Sequence, residues 1–189
     1  MYKRQGQGPN KGEVRLYNVD GTLVHAFTGH THAVMAVAVT PDGQHIISGS
    51  RDKLVKVWSV ASKSLVSTCG HNGWVRALAA MPDGQRFLSG STDMAVRVWL
   101  LDGTLVKCFQ LHTTDTVALV ALPDNQHALS GSIDRTVKLF NVNDLAILRT
   151  FTHHTGIVWS LALLPDGLRF VSGSGDNTAR IAYHGLAPH

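Results

Sequence analysis

From Val34 to Val39 the chain reads VMAVAV, a run without a charged or strongly polar residue. An uninterrupted apolar run of this length suits a strand buried on both faces. Pro41-Asp42-Gly43 follows with turn chemistry: Pro presets φ, Asp bonds its own backbone, and Gly takes positive φ. HIISGS, residues 45–50, reads as a second strand, and Arg51-Asp52-Lys53 as a tight turn. LVKVWS, residues 54–59, alternates apolar and polar positions, which predicts a third strand with one packed face. SLVSTC, residues 64–69, is the fourth and weakest, as suits an outer edge. No segment sustains a helical period, so the fold class is all-β.

The same unit recurs. PDGQHIISGSRDKLVKVW begins at Pro41, PDGQRFLSGSTDMAVRVW at Pro82, PDNQHALSGSIDRTVKLF at Pro123 and PDGLRFVSGSGDNTARIA at Pro165, with spacings of 41, 41 and 42 residues. One four-stranded sheet buries too little to stand alone, so the units must stack side by side. Within each unit a serine follows a histidine by 18 residues and an aspartate by 22, and in the first three an aromatic follows by 28. The sets are His30, Ser48, Asp52 and Trp58; His71, Ser89, Asp93 and Trp99; His112, Ser130, Asp134 and Phe140; His154, Ser172, Asp176 and Ala182.

The Gly29-His30 and Gly70-His71 pairs, in phase with that aromatic, resemble the WD-repeat family, although Ser59, Leu100 and Asn141 stand where the family prefers Asp. The likeness covers residues 14–183. It implies a β-propeller of four-stranded antiparallel blades around a channel. It also implies that His, Ser, Asp and Trp form a buried hydrogen-bond chain within each blade. Their chemistry suits this: Ser and neutral His donate and accept, Asp accepts, and the indole N–H donates. The third blade loses the last link at Phe140 and the fourth at Ala182, so those two should be less well locked.

About four blades are present, and ring closure is left open. Residues 1–12 read as disordered, 13–28 as a two-stranded partial blade, and 29–69, 70–110 and 111–152 as full blades. Residues 153–184 read as an incomplete last blade and 185–189 as a tail. Family members commonly close with about seven blades. Three arrangements fit: a fragment, a half-ring that pairs with a second chain, or an unusually small ring. In a homodimer, TLVHAFT (residues 22–28) would complete the last blade of the second copy and displace strand 14–19.

Composition narrows the function classes. The net charge of +4 is spread evenly, with one or two cations per repeat, such as Lys53/Lys56, Arg97 and Arg135/Lys138. They read as solvated strand positions rather than a nucleic-acid face. No apolar run approaches a membrane span, and MYKRQGQGPNKGE has no apolar stretch to serve as a secretory signal. The expected compartment is the cytoplasm, with the nucleus as alternative. Cys69 and Cys108 then read as reduced, half-buried thiols rather than a disulfide. Ser, His and Asp together invite a hydrolase triad, but four copies in register are a fold motif, and no G-x-S-x-G elbow occurs. Eleven histidines invite a metal, yet the only close pairs are His153-His154 and His30-x-His32, without a supporting Cys cluster. No enzyme activity, cofactor or metal is expected.

A protein-binding scaffold or adaptor remains. The resemblance implies a loop face built from three positions per blade: three and five residues after the His, and the residue before the turn Asp. Here these are Ala33, Met35 and Arg51; Trp74, Arg76 and Thr92; Asp115, Val117 and Ile133; Ile157, Trp159 and Gly175. Trp, Arg and Met dominate interface energies, so Met35, Arg51, Trp74, Arg76, Asp115, Ile157 and Trp159 are the candidate partner contacts. The competing role for Trp74 and Trp159 is core, plugging the channel between blades. Two further functions stay open. One is a substrate-recruiting subunit of a ubiquitin ligase or other enzyme complex, though Ser59 and Ala61 do not fit the Asp and basic residue that such members carry. The other is a purely structural part of a larger propeller.

Overall fold

The structure is a computed structural model and describes residues 2–6, 12–144 and 146–186. These residues form eighteen strands and no helix. The leading sheet contains β1 (Tyr2–Gly6), β2 (Gly12–Tyr17) and β3 (Leu23–His30). It has one strand more than the partial blade read from sequence, and β1 falls in the segment expected to be disordered. An antiparallel ladder is made by main-chain groups, and Tyr2↔Leu16 to Gly6↔Gly12 pair without needing the apolar alternation whose absence suggested disorder. Val14 and Phe27 of this sheet are buried against Val34, Ile46 and Trp58 of the next. Lending TLVHAFT to a second copy would sacrifice that packing.

Three four-stranded meanders follow. The first is β4 (Val34–Val39), β5 (His45–Ser50), β6 (Leu54–Ser59) and β7 (Ser64–Gly70). The second is β8 (Val75–Ala80), β9 (Arg86–Ser91), β10 (Ala95–Leu100) and β11 (Leu105–Gln110). The third is β12 (Thr116–Ala121), β13 (His127–Ser132), β14 (Val137–Asn141) and β15 (Ile147–Phe151). A three-stranded sheet, β16 (Val158–Leu163), β17 (Arg169–Ser174) and β18 (Ala179–Tyr183), ends the array. The inner strands β4, β8, β12 and β16 stand side by side in an unclosed arc. None is buried on both faces: β8 alternates buried and half-buried residues, β12 does so over its first half, and in β4 and β16 only the first residue is buried; the expectation of burial on both faces is corrected accordingly.

The stacking has a specific contact. A Cβ on Gly49 would lie 2.5 Å from Val75 Cγ1, one on Gly90 2.7 Å from Thr116 Cγ2, and one on Gly131 2.9 Å from Val158 Cγ1. The glycine of each Ser-Gly-Ser is therefore a socket for the first inner-strand residue of the next sheet. In the last sheet a Cβ on Gly173 would meet only Ser160 Oγ of its own sheet. The flank there is open: Ile181 is 64% exposed, while Val57, Val98 and Leu139 at the corresponding place are buried.

The expected polar chain is present in every repeat. His30 Nδ1 lies 2.8 Å from Asp52 Oδ2, His30 Nε2 lies 2.8 Å from Ser48 Oγ, and Trp58 Nε1 donates to that Oγ at 2.8 Å. The second repeat matches, with His71 Nδ1–Asp93 at 3.1 Å, His71 Nε2–Ser89 at 2.6 Å and Trp99 Nε1 to Ser89 at 2.7 Å. His112 joins Asp134 and Ser130 at 2.8 Å each, and His154 joins Asp176 at 2.8 Å and Ser172 at 2.7 Å. A carboxylate only accepts, so Nδ1 carries the proton and Nε2 takes one from the serine. The third and fourth repeats have no indole to donate to the serine; at the aspartate end each has a threonine, Thr136 and Thr178, that donates to Asp134 and Asp176 at 2.7 and 2.6 Å.

Each aspartate also shapes its turn. Asp52 accepts from the backbone N–H of Thr31 and of Leu54, both at 3.0 Å, across Lys53, whose φ is 71°. Burial pushes the Asp52 carboxyl up, but the bonds from His30 and the backbone outweigh it and hold it at about 2. Burial, then the Arg97 charge, drive His71 down to about 4 against the pull of Asp93. Two cations read as solvated are in fact enclosed. Lys56 is buried, and Arg97 donates to Asp93 at 2.8 Å and touches His71, because alternation places both on a flank covered by packing. Cys69 and Cys108 are free, one buried and one exposed rather than both half-buried. Burial pushes the Cys69 thiol up to about 12.

Three predictions follow from this packing. Gly131→Ala should lower stability by about 1–3 kcal/mol through overpacking against Val158, whereas Gly173→Ala should be nearly neutral; equal shifts in urea midpoint would refute the socket. Asp52→Ala and Asp93→Ala should each cost about 2–4 kcal/mol, since each strands a buried His and Ser, and Asp134→Ala should cost less. Equal melting shifts for all three would count against a shared network.

The third concerns pH. His71 and His112 are both held below the ordinary imidazole value by burial, so the unfolded chain takes up their protons first as pH falls. Stability should be full above pH 6.5 and drain away toward pH 4, by about 3 kcal/mol for His71 alone. A second loss should follow below pH 3.8, as Asp52 is protonated only near 2 in the fold. A urea midpoint that stays flat from pH 6.5 to 4 would overturn the neutral-imidazole assignment.

Candidate protein-binding face

At the end of each sheet where the turn aspartate sits, the backbone holds two of the three face positions together. Arg51 N–H donates to Ala33 O at 3.0 Å, Thr92 to Trp74 O at 3.0 Å, Ile133 to Asp115 O at 3.2 Å and Gly175 to Ile157 O at 2.8 Å. The third position is a β-bulge in every repeat. Val34 pairs with Ser50 and Ala36 with Gly49, leaving Met35 as the extra residue. Arg76, Val117 and Trp159 are skipped in the same way. A bulge re-aims a side chain without disturbing the ladder beyond it. Nothing in residue type marks these positions, so alternation alone does not reveal them.

Five of the seven candidate contacts fall into two groups, Arg51 with Trp74 and Arg76 with Asp115 and Trp159. The Arg51 guanidinium lies 4.8 Å from the centre of the Trp74 ring. Arg76 Nη1 reaches Asp115 Oδ2 at 3.4 Å, and its guanidinium lies 6.0 Å from the Trp159 ring. Trp74 and Trp159 remain 43% and 48% exposed, so neither is core, in contrast to Trp58 and Trp99 at 3% and 5%. Met35 and Ile157 hold the equivalent places on the first and last repeats, both half-buried. A groove of about 200 Å³ adjoins Arg76 and Trp159, walled by Val37, Leu78, Leu119 and Leu161 of the inner strands.

The other candidate chemistries are placed differently. The four serines of the Ser–His–Asp sets are fully buried, out of reach of a substrate. Among the described residues no group of three or more His, Cys, Asp or Glu is arranged to hold a metal ion. His153 and His154 touch, with ring centres 4.7 Å apart, but His154 is committed to Asp176 and Ser172.

The family model described as "WD domain, G-beta repeat" matches residues 21–59, 62–99, 103–141 and 145–181. These spans run from one sheet into the next, because the sequence unit starts at an outer strand and the structural unit at an inner one. Among curated proteins, the chain is 43% identical over 44 residues to "Transcriptional repressor tup12" of Schizosaccharomyces pombe, covering 23% of this chain and 7% of that protein. It is 37% identical over 54 residues to human striatin, covering 28% and 7%. To "Ribosome biogenesis protein BOP1 homolog" of Drosophila grimshawi it is 45% identical over 42 residues, covering 22% and 5%. The match thus spans less than a tenth of the length of each of these three relatives. With four family matches across an array of antiparallel blades, the chain belongs to the WD-repeat family.

Proposed function

We propose that this chain is a non-catalytic scaffold or adaptor that binds other proteins through the loop face of its blades. The observation that carries the reading is the two Arg–Trp pairs, Arg51–Trp74 and Arg76–Trp159, drawn from the first, second and fourth repeats with both indoles exposed. Aromatic and Arg side chains that are held in place yet open to solvent are the usual anchors of protein interfaces. The names of the relatives, a transcriptional repressor, striatin and a ribosome biogenesis protein, agree with a non-enzymatic role. Supplying blades to a larger propeller is the second reading, and the open socket at Gly173 beside exposed Ile181 favours it.

Trp74→Ala and Arg76→Ala should each weaken a bound protein partner by about thirtyfold or more, read as loss of co-purification. Their melting temperatures should stay near wild type, since both lie outside the His–Ser–Asp–Trp network. Lys107→Ala, on the exposed outer strand β11, should change neither. If Trp74→Ala lowers the melting temperature as much as Asp93→Ala, Trp74 is core and the loop face is not the working surface.

A further inference from the structure

We infer that the two Arg–Trp pairs select an acidic segment of the partner: an extended peptide whose carboxylates meet Arg51 and Arg76 while a neighbouring apolar side chain enters the groove beside Trp159. This rests on the protein-binding reading above and adds the chemistry of the ligand.

Arg51 is exposed and its guanidinium lies over the Trp74 ring, and among the described residues no carboxylate pairs with it. A guanidinium held over a ring face keeps N–H donors free to grip a carboxylate. Arg76 is oriented by Trp159 but engaged by Asp115 through one nitrogen only, at 3.4 Å, with both side chains about a quarter exposed. A charge-assisted pair at its best is bidentate and roughly 2.7–2.9 Å long, so an incoming carboxylate has most of the Arg76 donors still to take. Behind this rim the groove of about 200 Å³ is walled by Val37, Leu78, Leu119 and Leu161, an apolar lining that suits an aliphatic side chain.

An acidic side chain on the rim next to an apolar one in the groove therefore satisfies both halves of the site. Stacked Arg and Trp can also hold single-stranded nucleic acid. That needs a continuous basic track, and here Asp115 sits against Arg76.

Asp115 supplies the decisive test, because it competes with an acidic ligand and would assist a basic one. Fluorescence anisotropy would use a labelled peptide carrying Asp-Glu-Leu-Asp-Glu between Gly-Ser flanks. Its counterpart with Lys in place of each acid and a single-stranded oligothymidylate would be measured alongside. The wild-type protein should bind the acidic peptide at least about tenfold tighter than the lysine peptide. Asp115→Asn should tighten acidic-peptide binding by about threefold, and Arg51→Gln and Arg76→Gln should each weaken it by about tenfold. Unchanged melting temperatures would exclude unfolding as the cause. Preference for the lysine peptide or the oligothymidylate, absence of binding to all three, or weaker acidic-peptide binding by Asp115→Asn would each overturn the proposal. The loop face as a protein-binding surface would still be judged separately, by partner loss in Trp74→Ala.

Discussion

One carboxylate per repeat organises the rest. A buried aspartate is costly unless its oxygens are fully used. Asp52 uses them on the His30 ring and on the backbone N–H groups of Thr31 and Leu54. Those bonds tie the loop that enters a sheet to the turn between its second and third strands. They also fix the imidazole tautomer, which dictates that the serine donates and leaves its oxygen to accept from an indole where one exists. Arg51 directly precedes this aspartate and shares a backbone bond with Ala33. The face positions are thus set by the same anchor that holds the blade, although their side chains take no part in it.

That separation lets one residue type do two jobs. Trp58 and Trp99 point their N–H into the fold, where a serine oxygen awaits. Trp74 and Trp159 instead offer ring faces to guanidinium groups at the surface. The difference lies in where the backbone delivers the ring. Trp58 and Trp99 sit on third strands under the neighbouring sheet, whereas Trp159 occupies a bulge and Trp74 the step just before β8.

Much of this was legible in the sequence because repetition makes periodic signals reinforce one another. The bounds of β4, β5 and β6 coincide with VMAVAV, HIISGS and LVKVWS, and the offsets of 18 and 22 residues are those of the observed hydrogen bonds. What stayed hidden has physical causes. The bulges at Met35, Arg76, Val117 and Trp159 carry no common residue type, since a bulge is a property of pairing and not of composition. Strand β1 has a polar sequence and owes its place to main-chain pairing. Arg97 looked solvated because a lone cation in an alternating strand usually is; its enclosure depends on Asp93, four residues earlier in the turn between β9 and β10. The Thr136 and Thr178 hydroxyls fall on turn residues, where threonine draws no notice.

The socket made by Gly49, Gly90 and Gly131 gives the array a direction. Each unit presents a hollow on one flank and a branched side chain on the other, so units join head to tail and never head to head. Such a polarity makes the repeat a kind of monomer. A duplicated or deleted unit brings its own plug and its own hollow, and the surfaces on either side of the cut still match. Length can then drift by whole units during gene duplication, while the residues displayed at the bulges diverge one repeat at a time.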